Sequence, residues 1–91
     1  MIDTIQMIIK NHNTTKDIIE GLLQVLYEDG HPLTSDIIED LLGILIIEDK
    51  GYIFDYITAY DDFNRLLCDL DIGYRVYNGL IYKNYLNSSY C

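Results

Sequence analysis

Carboxylates are the groups in this chain best placed to do chemistry. Fifteen Asp and Glu side chains stand against six Lys and Arg in 91 residues, a formal net charge of −9. Side chains three and four apart on a helix lie about 5–6 Å from one another. Asp36, Glu39 and Asp40 have that spacing, and Asp17, Glu20 and Glu28 form a similar series. Asp55, Asp61, Asp62, Asp69 and Asp71 add a second acidic stretch. Such an array begins to compare with the charge density of a nucleic-acid backbone, so the chemistry it suits is attraction of a basic protein surface. The same acids also read as solvated outer faces that keep a small protein soluble. Other chemistry finds little support. His12 and His31 sit in polar turns, neither at ligand spacing from another His or Cys. Asp69-Leu70-Asp71-Ile72-Gly73 opens like a calcium loop but lacks the third acid and the distal Glu. Cys68, between Leu67 and Leu70 with no nearby His, reads as a buried, inert thiol. Cys91 is terminal and outside any prenylation box, and the six glycines are scattered without a phosphate-binding pattern. The expectation is a non-enzyme with no catalytic residues, no metal and no cofactor.

Tyrosine is the second chemical resource. Eight of the nine tyrosines follow residue 50. Charge is graded the other way: residues 1–50 carry ten acids and three bases (net −7), residues 51–71 five and one (net −4), and residues 72–91 none and two (net +2). Tyr52, Tyr56, Tyr60, Tyr77 and Tyr82, together with Arg75 and Lys83, therefore form a candidate aromatic docking face. Tyrosine suits interfaces because its ring supplies area at low entropic cost while its hydroxyl tolerates water. It also fills strands well.

The elements that must hold these groups form one domain over residues 1–91, since a second would leave neither half enough core. Hydrophobic residues at 49% suit a folded globule. The longest apolar run, Leu41 to Ile47, is far shorter than the roughly 20 residues of a membrane span. Met1-Ile2-Asp3 lacks the basic start of a secretion signal, and two cysteines are too few for a disulfide scaffold. A cytoplasmic protein is expected.

An internal repeat dominates the pattern. Residues 15–26 (TKDIIEGLLQVL) and 34–45 (TSDIIEDLLGIL) agree at eight of twelve positions. In each, apolar residues follow a helical period with acids opposite. The two copies are either a duplicated helical hairpin or two helices converging on one pattern, and they should bury their faces together. Thr14 and Thr34 are candidate N-caps, Gly30 and Pro32 a stop, and Leu33 with Ile38 a hydrophobic staple. A short helix precedes them, near residues 3–10. Residues 43–47 are apolar on every side. They either extend the third helix, which is preferred, or form a strand, and they could mediate a homodimer. The aromatic, β-branched run 52–58 reads as a strand and 61–71 as a helix. Residues 74–83 read as a hairpin around Asn78-Gly79, the preferred type I′ turn, pairing with 52–58. Residues 87–91 read as a frayed tail. The fold class is α+β: N-terminal helices with a small C-terminal antiparallel sheet.

The succession helix, Leu26-Tyr27-Glu28-Asp29-Gly30-His31-Pro32-Leu33-Thr34, helix resembles the opening of winged helix-turn-helix domains, and Asp62 to Lys83 resembles their third helix and wing. The departure is charge. Asp61, Asp62, Asp69 and Asp71 against Arg65 alone would be repelled by phosphate, so such a fold would here bind protein and not nucleic acid. In overall character the chain resembles the small acidic phage anti-defence proteins, anti-CRISPR and DNA-mimic inhibitors among them. That resemblance implies a non-enzymatic inhibitor of a basic nucleic-acid-binding or defence protein, acting in the host cytoplasm. The alternative is a winged-helix-like adaptor or homo-oligomeric regulator that docks through tyrosines. Neither engages a membrane.

Overall fold

The computed structural model describes residues 1–83, which form five helices followed by a two-stranded antiparallel sheet. Thus the fold is α+β, as expected. Helix α1 (Ile2–Asn11) presents Ile5 and Ile9 to the core. Helix α2 (Thr15–Asp29) starts at Thr14, whose hydroxyl accepts the Asp17 amide at 3.2 Å. It stops at Gly30, left-handed at φ 66°, where the His31 amide reaches back to the Leu26 carbonyl. Glycine, with no Cβ, adopts that geometry at the least cost. Helix α3 (Ser35–Ile47) repeats the device, Thr34 accepting the Ile37 amide at 3.3 Å. Leu33 is buried and Ile38 packs on the same core, as a staple requires. Helix α3 runs to Ile47, so the preferred reading of residues 43–47 holds.

The repeat helices share one core: Ile18, Ile19, Leu22, Leu23 and Leu26 from α2 join Ile37, Leu41, Ile44 and Leu45 from α3. The two helices thus bury their faces together, as expected, and α1 lies against both. At Gly21 the approach is close. A Cβ there would stand 3.3 Å from the Ile8 side chain, so glycine lets α1 seat on α2.

Two expectations need correction. Residues 52–58 are not a strand but most of helix α4 (Gly51–Thr58), packed on α3. In a strand, Ile53, Asp55 and Ile57 would share a face. Ile53 and Ile57 are buried while Asp55 is exposed, which only the helical turn allows. Consequently, among the described residues, the hairpin has no third strand. Strands β1 (Tyr74–Tyr77) and β2 (Leu80–Lys83) pair with each other in the expected register: Tyr74 with Lys83, Arg75 with Tyr82, Val76 with Ile81, Tyr77 with Leu80. Asn78 and Gly79 both have positive φ (53° and 80°), as a type I′ turn demands.

Other contacts replace the missing strand. Helix α5 (Phe63–Asp69), capped by the Asp62 carboxylate on the Asn64 amide, packs on β1. The Asn64 side-chain amide completes the β1 edge: its Oδ1 accepts the Val76 N–H and its Nδ2 donates to the Val76 carbonyl, both at 2.8 Å. Strand β2 rests on α2, and the Leu33 amide donates to the Gly79 carbonyl at 2.7 Å. The expected frayed tail, 87–91, lies outside the described residues.

Candidate functional site

The acidic site residues fall into two groups on separate elements. On α3, at about 100° per residue, Asp36, Glu39, Asp40, Gly43, Ile46 and Ile47 share a strip roughly 120° wide. This strip faces away from Ile37, Leu41, Ile44 and Leu45, and its members are exposed except for half-buried Asp40. The repeat thus brings Asp36, Glu39 and Asp40 together, as their spacing implied.

The second group surrounds α5. Asp61, Asp62 and Asp69 line a shallow groove with Ala59, Tyr60 and Arg65. Two of these carboxylates already hold structure: Asp62 caps α5, and Asp69 Oδ2 accepts the Tyr60 hydroxyl at 2.8 Å. Asp55 is exposed on α4, and Asp71 is exposed in a left-handed turn at φ 59°.

Two of the six positive charges, Lys50 and Arg75, are drawn inward, while Lys10, Arg65 and Lys83 stay exposed. Lys50 donates its ammonium to the Ile9 and His12 carbonyls at the end of α1. Lys10 lies 3.8 Å from Glu48. Arg75 is buried and donates to the Ile72 and Tyr74 carbonyls at 2.7 and 2.6 Å. The expectation that the hairpin presents Arg75 beside its tyrosines is therefore corrected: the guanidinium closes the turn that follows α5. Cations engaged with backbone inside the fold leave the outer faces more negative than residue counts alone convey.

The tyrosines also divide. Tyr52 and Tyr56 lie on one side of α4; the Tyr52 hydroxyl donates to the Asn13 carbonyl at 3.2 Å, and Tyr56 meets Tyr60 edge-on at 5.4 Å. Tyr77 and Tyr82 are exposed on the hairpin with ring centres 6.0 Å apart. Because 52–58 is a helix, these groups do not form the single sheet face that the expected three-stranded pairing would have made.

The Tyr60 hydroxyl bonds both Tyr56, at 3.1 Å, and Asp69. These hydrogen bonds, first Tyr56 and then Asp69, hold its pKa well above the ordinary tyrosine value. The linked stability is full below the ordinary value near 10.0 and is lost as pH rises through the higher native one. Ultraviolet titration of phenolate should therefore show Tyr60 ionising late, and Asp69→Asn should bring it down. Tyr74 is also raised, by burial beneath Tyr27 and α2 and then by Glu28 and Glu20.

His12 and His31 each bond a backbone carbonyl through Nδ1, those of Ile8 and Pro32. Among the described residues no group of three His, Cys, Asp or Glu side chains is arranged to hold a metal. Cys68, expected to be buried, is half-buried. Cys91 lies outside the described residues. No described helix is long and apolar enough to cross a membrane.

Sequence reasoning marked 43–47 as apolar but did not join it to the acids of α3. The missed signal was the repeat itself. Where α2 carries Gln24, Tyr27 and Glu28 on its outer side, the same offset in α3 gives Gly43, Ile46 and Ile47. A Cβ at Gly43 would meet nothing within 4 Å. Mid-helix glycine costs about 0.5–1 kcal/mol against alanine. Gly43→Ala should thus stabilise the free protein by that amount in urea denaturation.

No protein-family model, curated protein or solved structure matches the chain.

Proposed function

We propose that the protein is a non-enzymatic binding protein that engages a basic surface of another protein, and that blocking a nucleic-acid-binding or defence protein is its task. The observation that carries this is the α3 outer face. Asp36, Glu39 and Asp40 stand together there, while Lys50 and Arg75 spend their charge on backbone carbonyls within the fold. A net charge of −9 strengthens long-range attraction to cationic partners and repels phosphate.

The experiment is a pull-down from lysate of the native host, at low and high salt, with mass spectrometry. Partners with basic surfaces should be captured at low salt and released at high salt, because exposed charges are screened beyond a Debye length of about 10 Å at 0.1 M. Capture indifferent to salt would favour the second reading, an adaptor or homo-oligomeric regulator docking through tyrosines. Its supporting observation is the exposed hairpin face, where Tyr77, Leu80 and Tyr82 remain 57%, 49% and 49% accessible.

A further inference from the structure

The α3 outer face has two unlike halves. Its N-terminal half is acidic: Asp36, Glu39 and Asp40. Its C-terminal half is apolar: Ile46 and Ile47 are 57% and 75% exposed, on a helix whose other isoleucines are buried or half-buried. Gly43 lies between them, at the middle of the strip. The fold gives it no reason to be glycine, for no positive φ is recorded there and a Cβ would enter open space. The sister helix shows what a glycine does in this protein. Gly21 admits Ile8 of α1, so one helix seats on another where the side chain is missing. Two of the three matching outer positions of α2 are polar, Gln24 donating to Glu28 at 3.3 Å, and the third, Tyr27, packs on Tyr74.

We infer that this face receives a basic amphipathic helix of another protein, laid antiparallel across α3 and crossing at Gly43. This rests on the proposed function and specifies its partner. Charge complementarity sets the occupant. Lysines or arginines of the incoming helix meet Asp36, Glu39 and Asp40, and its apolar residues cover Ile46 and Ile47. The antiparallel direction places the partner's basic half at its own C-terminus, where cations suit the helix dipole. A second copy of this chain fits poorly. An antiparallel pair would set Ile46 and Ile47 against Asp36 and Glu39 of its mate, and each copy carries −9.

The test uses the full chain and two peptides of about 18 residues, some five helical turns. Both contain the same Leu, Lys and Ala; one has its lysines in the C-terminal half and leucines in the N-terminal half, and the other has the order reversed. Titration of isotope-labelled protein should show the first peptide perturbing amides along Asp36–Ile47 and binding about tenfold more tightly than the second. Gly43→Gln, which installs the residue α2 uses, and the pair Ile46→Ser with Ile47→Ser should each weaken that binding about tenfold while the protein stays folded. Equal binding of both peptides, perturbations centred on Tyr77 and Tyr82, no binding by either at millimolar peptide, or self-association abolished by the Ile46 and Ile47 changes would each overturn the inference. The proposed function fails separately: Asp36→Asn, Glu39→Gln and Asp40→Asn together would leave affinity for both lysine peptides unchanged. If those three changes weaken both peptides alike while the Gly43 and isoleucine variants bind normally, only the helix-docking inference falls.

Discussion

Replacing Lys50 by methionine is expected to lower the unfolding free energy by about 2–3 kcal/mol, the cost of losing charge-assisted hydrogen bonds to half-buried carbonyls. Lys50 precedes α4, yet its ammonium reaches the Ile9 and His12 carbonyls at the end of α1, the latter at 2.6 Å. Helix C-termini leave carbonyls without partners, and a cation there also complements the dipole. Methionine keeps most of the stem's volume, so the loss reports polar contacts and not packing. Urea denaturation measures it directly. Amide exchange should quicken in α1 first, since Lys50 ties the end of that helix to the turn ahead of α4. A loss below about 0.5 kcal/mol, the scale of an exposed charge contact, would contradict the geometry.

Asn64→Leu is expected to cost a similar amount, about 2–3 kcal/mol, by leaving a donor and an acceptor unpaired on a strand edge. The Asn64 side chain meets both the N–H and the carbonyl of Val76 at 2.8 Å, as a neighbouring strand would. Leucine is close in volume but can satisfy neither group. A two-stranded sheet is marginal alone, so the hairpin should loosen selectively. Nuclear magnetic resonance should show amide exchange rising at Tyr74–Tyr77 while the α1–α3 core remains protected. Uniform loosening of the whole chain would contradict that assignment of roles.

Local chemistry was legible in the sequence because the signals lie within a few residues of their effects. Thr14, Gly30 and Thr34 cap as their types demand, and Asn78-Gly79 sets the hairpin register. Helix α4 was misread because Tyr52 with Tyr56, and Ile53 with Ile57, are four apart, a spacing that fits both a two-residue and a 3.6-residue period. Its aromatic, β-branched composition tipped the choice towards strand. Asp55, which a strand would place between the two isoleucines on their buried face, was the residue that argued for helix. The roles of Lys50, Asn64 and Arg75 were not legible, since each depends on chain packing around it. Lys50 reaches partners 41 and 38 residues away, and Asn64 one 12 residues away. The same limit applies to the candidate site. Spacing gathered Asp36, Glu39 and Asp40 correctly, but that Arg75 turns inward depends on tertiary packing.

The central claim is that carboxylates on the outer faces make the binding energy for a basic protein partner. The most direct measurement is the dissociation constant of the captured partner across a salt series, for the native chain and for a variant with Asp36, Glu39, Asp40, Asp61 and Asp62 changed to Asn or Gln. The native affinity should fall steeply with salt. The variant should bind at least about tenfold more weakly at low salt with a flattened salt slope, since electrostatic attraction between complementary surfaces is what has been removed. A variant that binds at full strength, with the salt dependence of the native chain, would contradict the claim and transfer the site to Tyr77, Leu80 and Tyr82.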